Sequence, residues 1–258
     1  MKNCLAILAL ITLGTAITAT DYCSEDICNA KGATHVACDS KKEFSSSCPK
    51  DAEMMEIDES LQKLIVDKHN EKRNTIAGGE YDSLKPACRM ATIEWDDELA
   101  YLAEFNVLKC KMEHDDCHNT NDFKYSGQNL GEMGFRGEIN QTERILQSID
   151  LWYEEKEHVS QSIIDEYPND YSGPDIGHFT VMMADRNIRV GCAAATYSVS
   201  GENYKNYLLA CNYATTNMIG FAIYKSCDKP AADCESGTNE SYKNLCSPKE
   251  SYDVNQWF

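Results

Sequence analysis

Residues 189–213 read RVGCAAATYSVSGENYKNYLLACNY, and they follow the short run GHFT at residues 177–180. Two apolar segments, 189–197 and 204–213, flank Gly201 and Glu202, a pair suited to a two-residue hairpin loop in which glycine takes the positive φ. A turn centred there sets Cys192 directly opposite Cys211, within disulfide reach. In the same register Ala194 faces Leu209 on the cysteine side, whereas Ala193 faces Ala210 and Ala195 faces Leu208 on the other. Both faces of the hairpin are apolar, the pattern of a sheet lying between two helical layers. The expected fold class is α/β, with His178 just ahead of the hairpin at the rim of the core.

Ahead of this hairpin, apolar spacing predicts a first helix over residues 59–76, with Leu61, Leu64, Ile65, His69 and Ile76 near one face and Gly78 and Gly79 as its stop. His69 falls one turn after Ile65 and, with Arg73, is read as part of the architecture: a hydrogen-bonded core histidine rather than a ligand. A second helix follows Asp96 as N-cap, with Leu99, Leu102, Ala103, Asn106 and Cys110 as its inner stripe. A third is predicted over 142–159, where Ile145, Ile149, Trp152 and Tyr153 form the apolar face and Glu155 shares its edge. The glycines at 127, 131, 134 and 137 fit no nucleotide-binding spacing and read as a glycine-rich turn around a strand.

Residues 1–20 combine Lys2, an apolar run from Leu5 to Leu13 and small residues before Asp21, the pattern of a cleaved secretory signal too short to span a bilayer. No later apolar segment is long enough to be transmembrane, so a secreted, extracellular protein is expected. Residues 21–58 form a cysteine-rich extension, 59–225 the main domain and 226–258 a polar tail tied back by disulfides. The 258 residues carry 24 basic against 42 acidic side chains, a net charge of −18, with no basic cluster. That balance argues against nucleic acid or an anionic membrane as partner. Of 13 cysteines, twelve remain once Cys4 leaves with the signal, an even number that suits disulfides in an oxidising compartment. Asn140 and Asn239 begin glycosylation sequons. The densest group of potential metal ligands is Cys110, His114, Cys117 and His118; secretion makes the two cysteines disulfide partners instead of zinc thiolates, with His114 held between them.

Seven ordered motifs carry a resemblance: HNEKRN at His69, CKMEHDDCHNT at Cys110, GQNL at Gly127, LWYEE ending at Glu155, GHFT at Gly177, VGC at Val190 and ACNY at Ala210. Together they resemble the CAP superfamily of cysteine-rich secretory proteins, and within it the insect antigen five proteins of venom and saliva, across about residues 21–258. The resemblance implies a three-layer α-β-α sandwich with disulfide-tied N- and C-terminal extensions. It also implies the pairs Cys23–Cys38, Cys28–Cys117, Cys48–Cys110, Cys192–Cys211 and Cys234–Cys246. Cys88 and Cys227 are left over, either paired with each other in a monomer or linking two chains in a dimer.

Family members place two histidines and two acids in a central cavity able to hold a divalent metal. By motif, His114 and His178 are the histidines and Glu155 is one acid, while Gln128 stands where many relatives have the second. The amide removes a charge and leaves a weaker ligand, so zinc or another divalent metal is a possible but not required cofactor. The VMMADR after GHFT departs from the usual family sequence. With GxSxG and HExxH both absent, no enzyme is expected. The expectation is a secreted binding protein, of saliva or venom and an allergen, that sequesters a lipid, a divalent metal or a host protein. The alternative is a weak metal-assisted hydrolase using His114, Glu155 and His178. Phe135-Arg136-Gly137 is followed by Glu138, so the integrin motif RGD is missing.

Overall fold

The computed structural model describes residues 20–29, 32–81 and 83–256, so the signal peptide read at 1–20 falls, but for Thr20, outside the described residues. Helix α1 spans Glu59–Ala77 and begins where the Asp58 carboxylate accepts the Leu61 N–H at 2.9 Å. It ends at Gly78 and at Gly79, whose φ of 70° a side chain would strain. The short strands β1 (Glu53–Met55) and β2 (Glu94–Trp95) flank α1 in sequence. Helix α2, Asp97–Val107, is capped by Asp96 through the Leu99 N–H at 2.8 Å. Cys110, assigned above to the stripe of this helix, lies beyond its end with φ 53°.

The glycine-rich run is itself a strand, β3 (Gly127–Phe135), rather than a turn around one. Glycine suits it because a Cβ at Gly127 would stand 2.6 Å from the Thr215 carbonyl oxygen. Helix α3, Gln141–Glu154, is shorter than the stretch to 159 expected from its periodicity. The chain tightens into one 3-10 turn at Glu155–His158, which turns the Glu155 carboxylate onto the backbone N–H of Phe179. A single-turn helix α4 (Gln161–Asp165) leads to α5 (Gly177–Met183), a helix that carries GHFT and is too short to show a periodic signal. The hairpin follows as β4 (Arg189–Ser198) and β5 (Lys205–Tyr213).

The hairpin register is the one read from the cysteines: Cys192 lies opposite Cys211, Ala194 opposite Leu209, Ala193 opposite Ala210 and Ala195 opposite Leu208. Its loop is longer than two residues. The ladder closes at Ser198 and Lys205, and the Glu202 N–H donates to the Val199 carbonyl at 3.0 Å, with Gly201 taking φ 82°. The sheet runs β1-β4-β5-β3, with β2 lying parallel beside β4. On one face Cys192, Ala194, Leu209 and Cys211 join Ile65 of α1, Ile145 and Trp152 of α3 and Phe179 of α5 in one buried cluster. On the other, Ala193, Ala195, Leu208 and Ala210 meet Ala103 and Val107 of α2. The result is a three-layer α-β-α sandwich.

Disulfides join Cys23–Cys38, Cys28–Cys117, Cys48–Cys110, Cys88–Cys227, Cys192–Cys211 and Cys234–Cys246. Cys110 and Cys117 are thus bonded to the N-terminal extension and not to each other. Cys88 and Cys227 bond to one another, so among the described residues no cysteine is left to link two chains. The tail packs on the sandwich: Leu245 and Cys246 are fully buried, and the Cys246 N–H donates to the Met90 carbonyl at 2.8 Å. Asn140 is exposed and caps α3, whereas the Asn239 side-chain nitrogen, the atom a glycan would occupy, donates to Thr92 Oγ1 at 3.0 Å.

Candidate functional site

Between the loop before β3 and the N-terminus of α5 lies an open cavity of about 590 Å³, lined among others by His114, Gln128, Asn129, Tyr167, Asp175 and His178. Gln128 comes from β3, whose pairing with β5 sets it opposite Asn212. Its side-chain nitrogen donates to Asn212 Oδ1 at 2.9 Å and to Asp115 Oδ2 at 2.7 Å, using both hydrogens. Its Oε1 therefore faces the donors: the Asp115 N–H at 3.2 Å and His114 Nδ1 at 3.0 Å. An amide oxygen only accepts, so His114 carries a proton on Nδ1, and its neutral ring has Nε2 as the bare nitrogen.

His178 is oriented in the same way by a different group. Glu155 Oε1 lies 2.5 Å from His178 Nδ1, and Oε2 accepts the Phe179 N–H at 2.9 Å. The carboxylate thereby holds a proton on Nδ1, so the neutral ring presents Nε2 as its bare nitrogen here too. The His178 ring stacks on Trp152, with centroids 6.1 Å apart. Glu155 stands behind His178, with 13% of its side chain exposed against 23% for the histidine. Glu155, expected from the sequence at the edge of the apolar face, thus meets a specific partner, His178.

Two residues that sequence reading passed over complete the site. The Asp115 side chain is wholly buried, and its Oδ1 takes Lys109 Nζ at 2.5 Å and Asn106 Nδ2 at 3.0 Å. It fixes the orientation of Gln128, and only its place beside His114 in EHDDC hinted at this. Asn129 ties the site to the core: its Nδ2 donates to the His178 carbonyl at 3.1 Å and to the Tyr213 hydroxyl at 3.3 Å. Tyr213 in turn donates to His69 Nε2 at 2.9 Å, while His69 Nδ1–H bonds the Ile65 carbonyl at 2.8 Å. Burial pushes His69 down to about 4, so it remains neutral in the core.

His118, the remaining member of the histidine and cysteine cluster, is buried and donates from Nε2 to the Gly127 carbonyl at 3.2 Å. Among the described residues, the groups whose potential ligand atoms lie within 4.8 Å of one another are Cys23, Cys38 and Asp39, and Cys88, Cys227 and Asp233. Their sulfurs are consumed in disulfides. His114, Gln128, Glu155 and His178 do not close into one protein-only ligand set. They form two oriented imidazoles around an open space.

The profile of the cysteine-rich secretory protein (CAP) family matches residues 66–213. The chain belongs to this family. Venom allergen-1 of Aedes albopictus is 38% identical over 249 residues, 96% of this chain and 95% of its own. The antigen 5 like allergen Cul n 1 of Culicoides nubeculosus is 38% identical over 207 residues, covering 78% of this chain and 93% of its own. Among solved structures, the crystal structure of NaASP2 with Zn2+ superposes with a TM-score of 0.62 at 22% identity, over 78% of this CAP chain and all of that one. At that identity the likeness speaks for the fold alone. Among the described residues no helix is long and apolar enough to cross a membrane.

Proposed function

We propose that this CAP protein is a secreted binding protein that sequesters a small ligand in the cavity beside α5, and that a divalent ion such as zinc is held there by Nε2 of His114 and of His178. The observation that carries the reading is the matched pair of tautomers: each Nδ1–H is committed to an oxygen of Gln128 or Glu155, which leaves each Nε2 a lone pair on residues that line one cavity. Neutral imidazole with its second nitrogen hydrogen-bonded is the usual form of a metal-bound histidine. Water would complete the coordination of zinc. Gln128 and Glu155 then orient ligands instead of serving as ligands, which makes the missing charge at 128 tolerable.

The same geometry favours binding over metal-assisted hydrolysis. Both oxygens of Glu155 are engaged, by His178 and by the Phe179 N–H, so the one acid assigned to the site is not placed to take a proton from water. Six disulfides suit an oxidising extracellular compartment, and the named allergens among the relatives fit a protein delivered to a host. Met112, Leu130 and Val181 also line the cavity and offer an apolar lipid chain some contact.

Native mass spectrometry of the secreted protein, with and without added zinc, tests the metal reading. One zinc per chain is expected, lost in the His114→Ala, His178→Ala double variant. A protein that stays bare in zinc, or a double variant that keeps the ion, would contradict it.

A further inference from the structure

Strand β4 has two neighbours on its outer edge, and they leave a gap. β1 pairs with residues 194–196 and β2 with residues 189–190, so among the described residues no strand residue stands opposite 191–193 on that edge. The Cα atoms of Cys192 and Cys211 are 4.1 Å apart, the close spacing of a non-hydrogen-bonded antiparallel pair. In such a pair the backbone N–H and C=O of Cys192 point away from β5, toward the gap.

Over the gap lies a cavity of about 430 Å³, between residues 54–57 and the first turns of α2, with Cys192 and Ala193 in its lining. Its walls are apolar and aromatic, including Met54, Ile57, Trp95 and Tyr101. Every charged residue in the lining is acidic: Glu56, Asp97 and Glu104. Glu104 already holds a cation of the chain itself, the Lys42 ammonium, which also lies 4.5 Å from the centre of the Tyr101 ring. The wall therefore has the chemistry to hold an ammonium group against an aromatic ring. Glu56 and Asp97 are both exposed, and neither has a salt-bridge partner among the described residues. Asp97 accepts the Trp95 Nε1–H at 3.0 Å, which holds the indole beside that carboxylate.

We propose that this cavity binds a small organic amine: a protonated ammonium taken up by Glu56, Asp97 and the Cys192 carbonyl, on an apolar stem that packs against Met54, Trp95 and Tyr101. The size is that of a small-molecule site, and the uniformly acidic lining rejects a carboxylate or phosphate of the same shape. The site lies on the α2 side of the molecule and is independent of His114 and His178.

Calorimetric titration of the full secreted chain with 2-phenylethylamine, and with 3-phenylpropionate as the anion on a similar stem, tests this. One amine per chain is expected, with no detectable binding of the carboxylate. Affinity should fall at least about tenfold in a Glu56→Gln, Asp97→Asn double variant, two exposed positions whose change leaves the core intact. It should fall several-fold in Tyr101→Leu, which keeps every carboxylate, and stay unchanged in the His114→Ala, His178→Ala variant. Equal binding of amine and carboxylate, an unchanged affinity in the Glu56→Gln, Asp97→Asn variant, or no binding of the amine at millimolar concentration would overturn the proposal.

Discussion

Arg73→Met is expected to destabilise the fold by at least about 4 kcal/mol, measured by denaturant unfolding with the disulfides intact. The Arg73 side chain has no solvent exposure. Its guanidinium is spent on backbone carbonyls: Nε and Nη2 reach Ala91 at 3.2 and 2.8 Å, and Nη1 reaches Met182 at 2.6 Å and Ala184 at 2.9 Å. Burial brings its pKa down to about 10, which still leaves it charged at neutral pH. Methionine fills much of the volume but donates nothing, so three buried carbonyls lose a partner at about 1–3 kcal/mol each. Two of these carbonyls lie at the C-terminal end of α5, the helix that carries His178. Zinc retention should therefore weaken along with stability. A loss below about 1 kcal/mol would show that water or a shifted backbone satisfies these groups.

Gly191→Ala is expected to cost at least about 3 kcal/mol, or to prevent secretion of folded protein. A Cβ there would stand 2.2 Å from the Ala100 nitrogen, 2.4 Å from the Asp96 oxygen and 2.7 Å from the Leu99 carbonyl carbon. All three are backbone atoms at the start of α2, so no side chain can rotate out of the way. The helix must lift from the sheet, which strains the cluster of Ala103 and Val107 against β4 and β5. Gly177→Ala is the control, because its Cβ would meet nothing within 4 Å. Thermal unfolding of the two variants should separate them by many degrees. Similar midpoints would mean that α2 docks less tightly on β4 than these distances require.

The three layers were legible because the signals were local and redundant. Cys192, Cys211 and the centre of the turn gave one register between them, and the apolar residues on both faces of that register called for helices on both sides. What escaped were features that tertiary contacts create. A turn of helix at Gly177–Met183 is too short to show periodicity, and it is held from outside by Arg73 and Glu155. The glycines of β3 resembled a turn because their spacing reflects close approach by residues distant in sequence, such as Thr215 and Ser148. The early end of α3 follows from the bond between Glu155 and Phe179, which no helical pattern encodes.

At the site, motif resemblance named His114, Gln128, Glu155 and His178, but not how they divide the work. The structure gathers the two histidines around one cavity and sets Gln128 and Glu155 against their Nδ1 atoms. That arrangement depends on which hydrogens of Gln128 are already used, and so on Asp115 and Asn212. A buried carboxylate held by Lys109 and Asn106 has no sequence signature beyond being near a histidine.

The protonation of the two cavity histidines is read directly by a long-range ¹H–¹⁵N correlation spectrum of histidine-labelled protein at about pH 8, recorded before and after adding zinc. His114 and His178 are expected to carry their proton on Nδ1, with bare Nε2 resonances that move on adding zinc while those of His69 stay in place. A proton on Nε2 of either residue, or two Nε2 resonances that ignore zinc, would contradict the account.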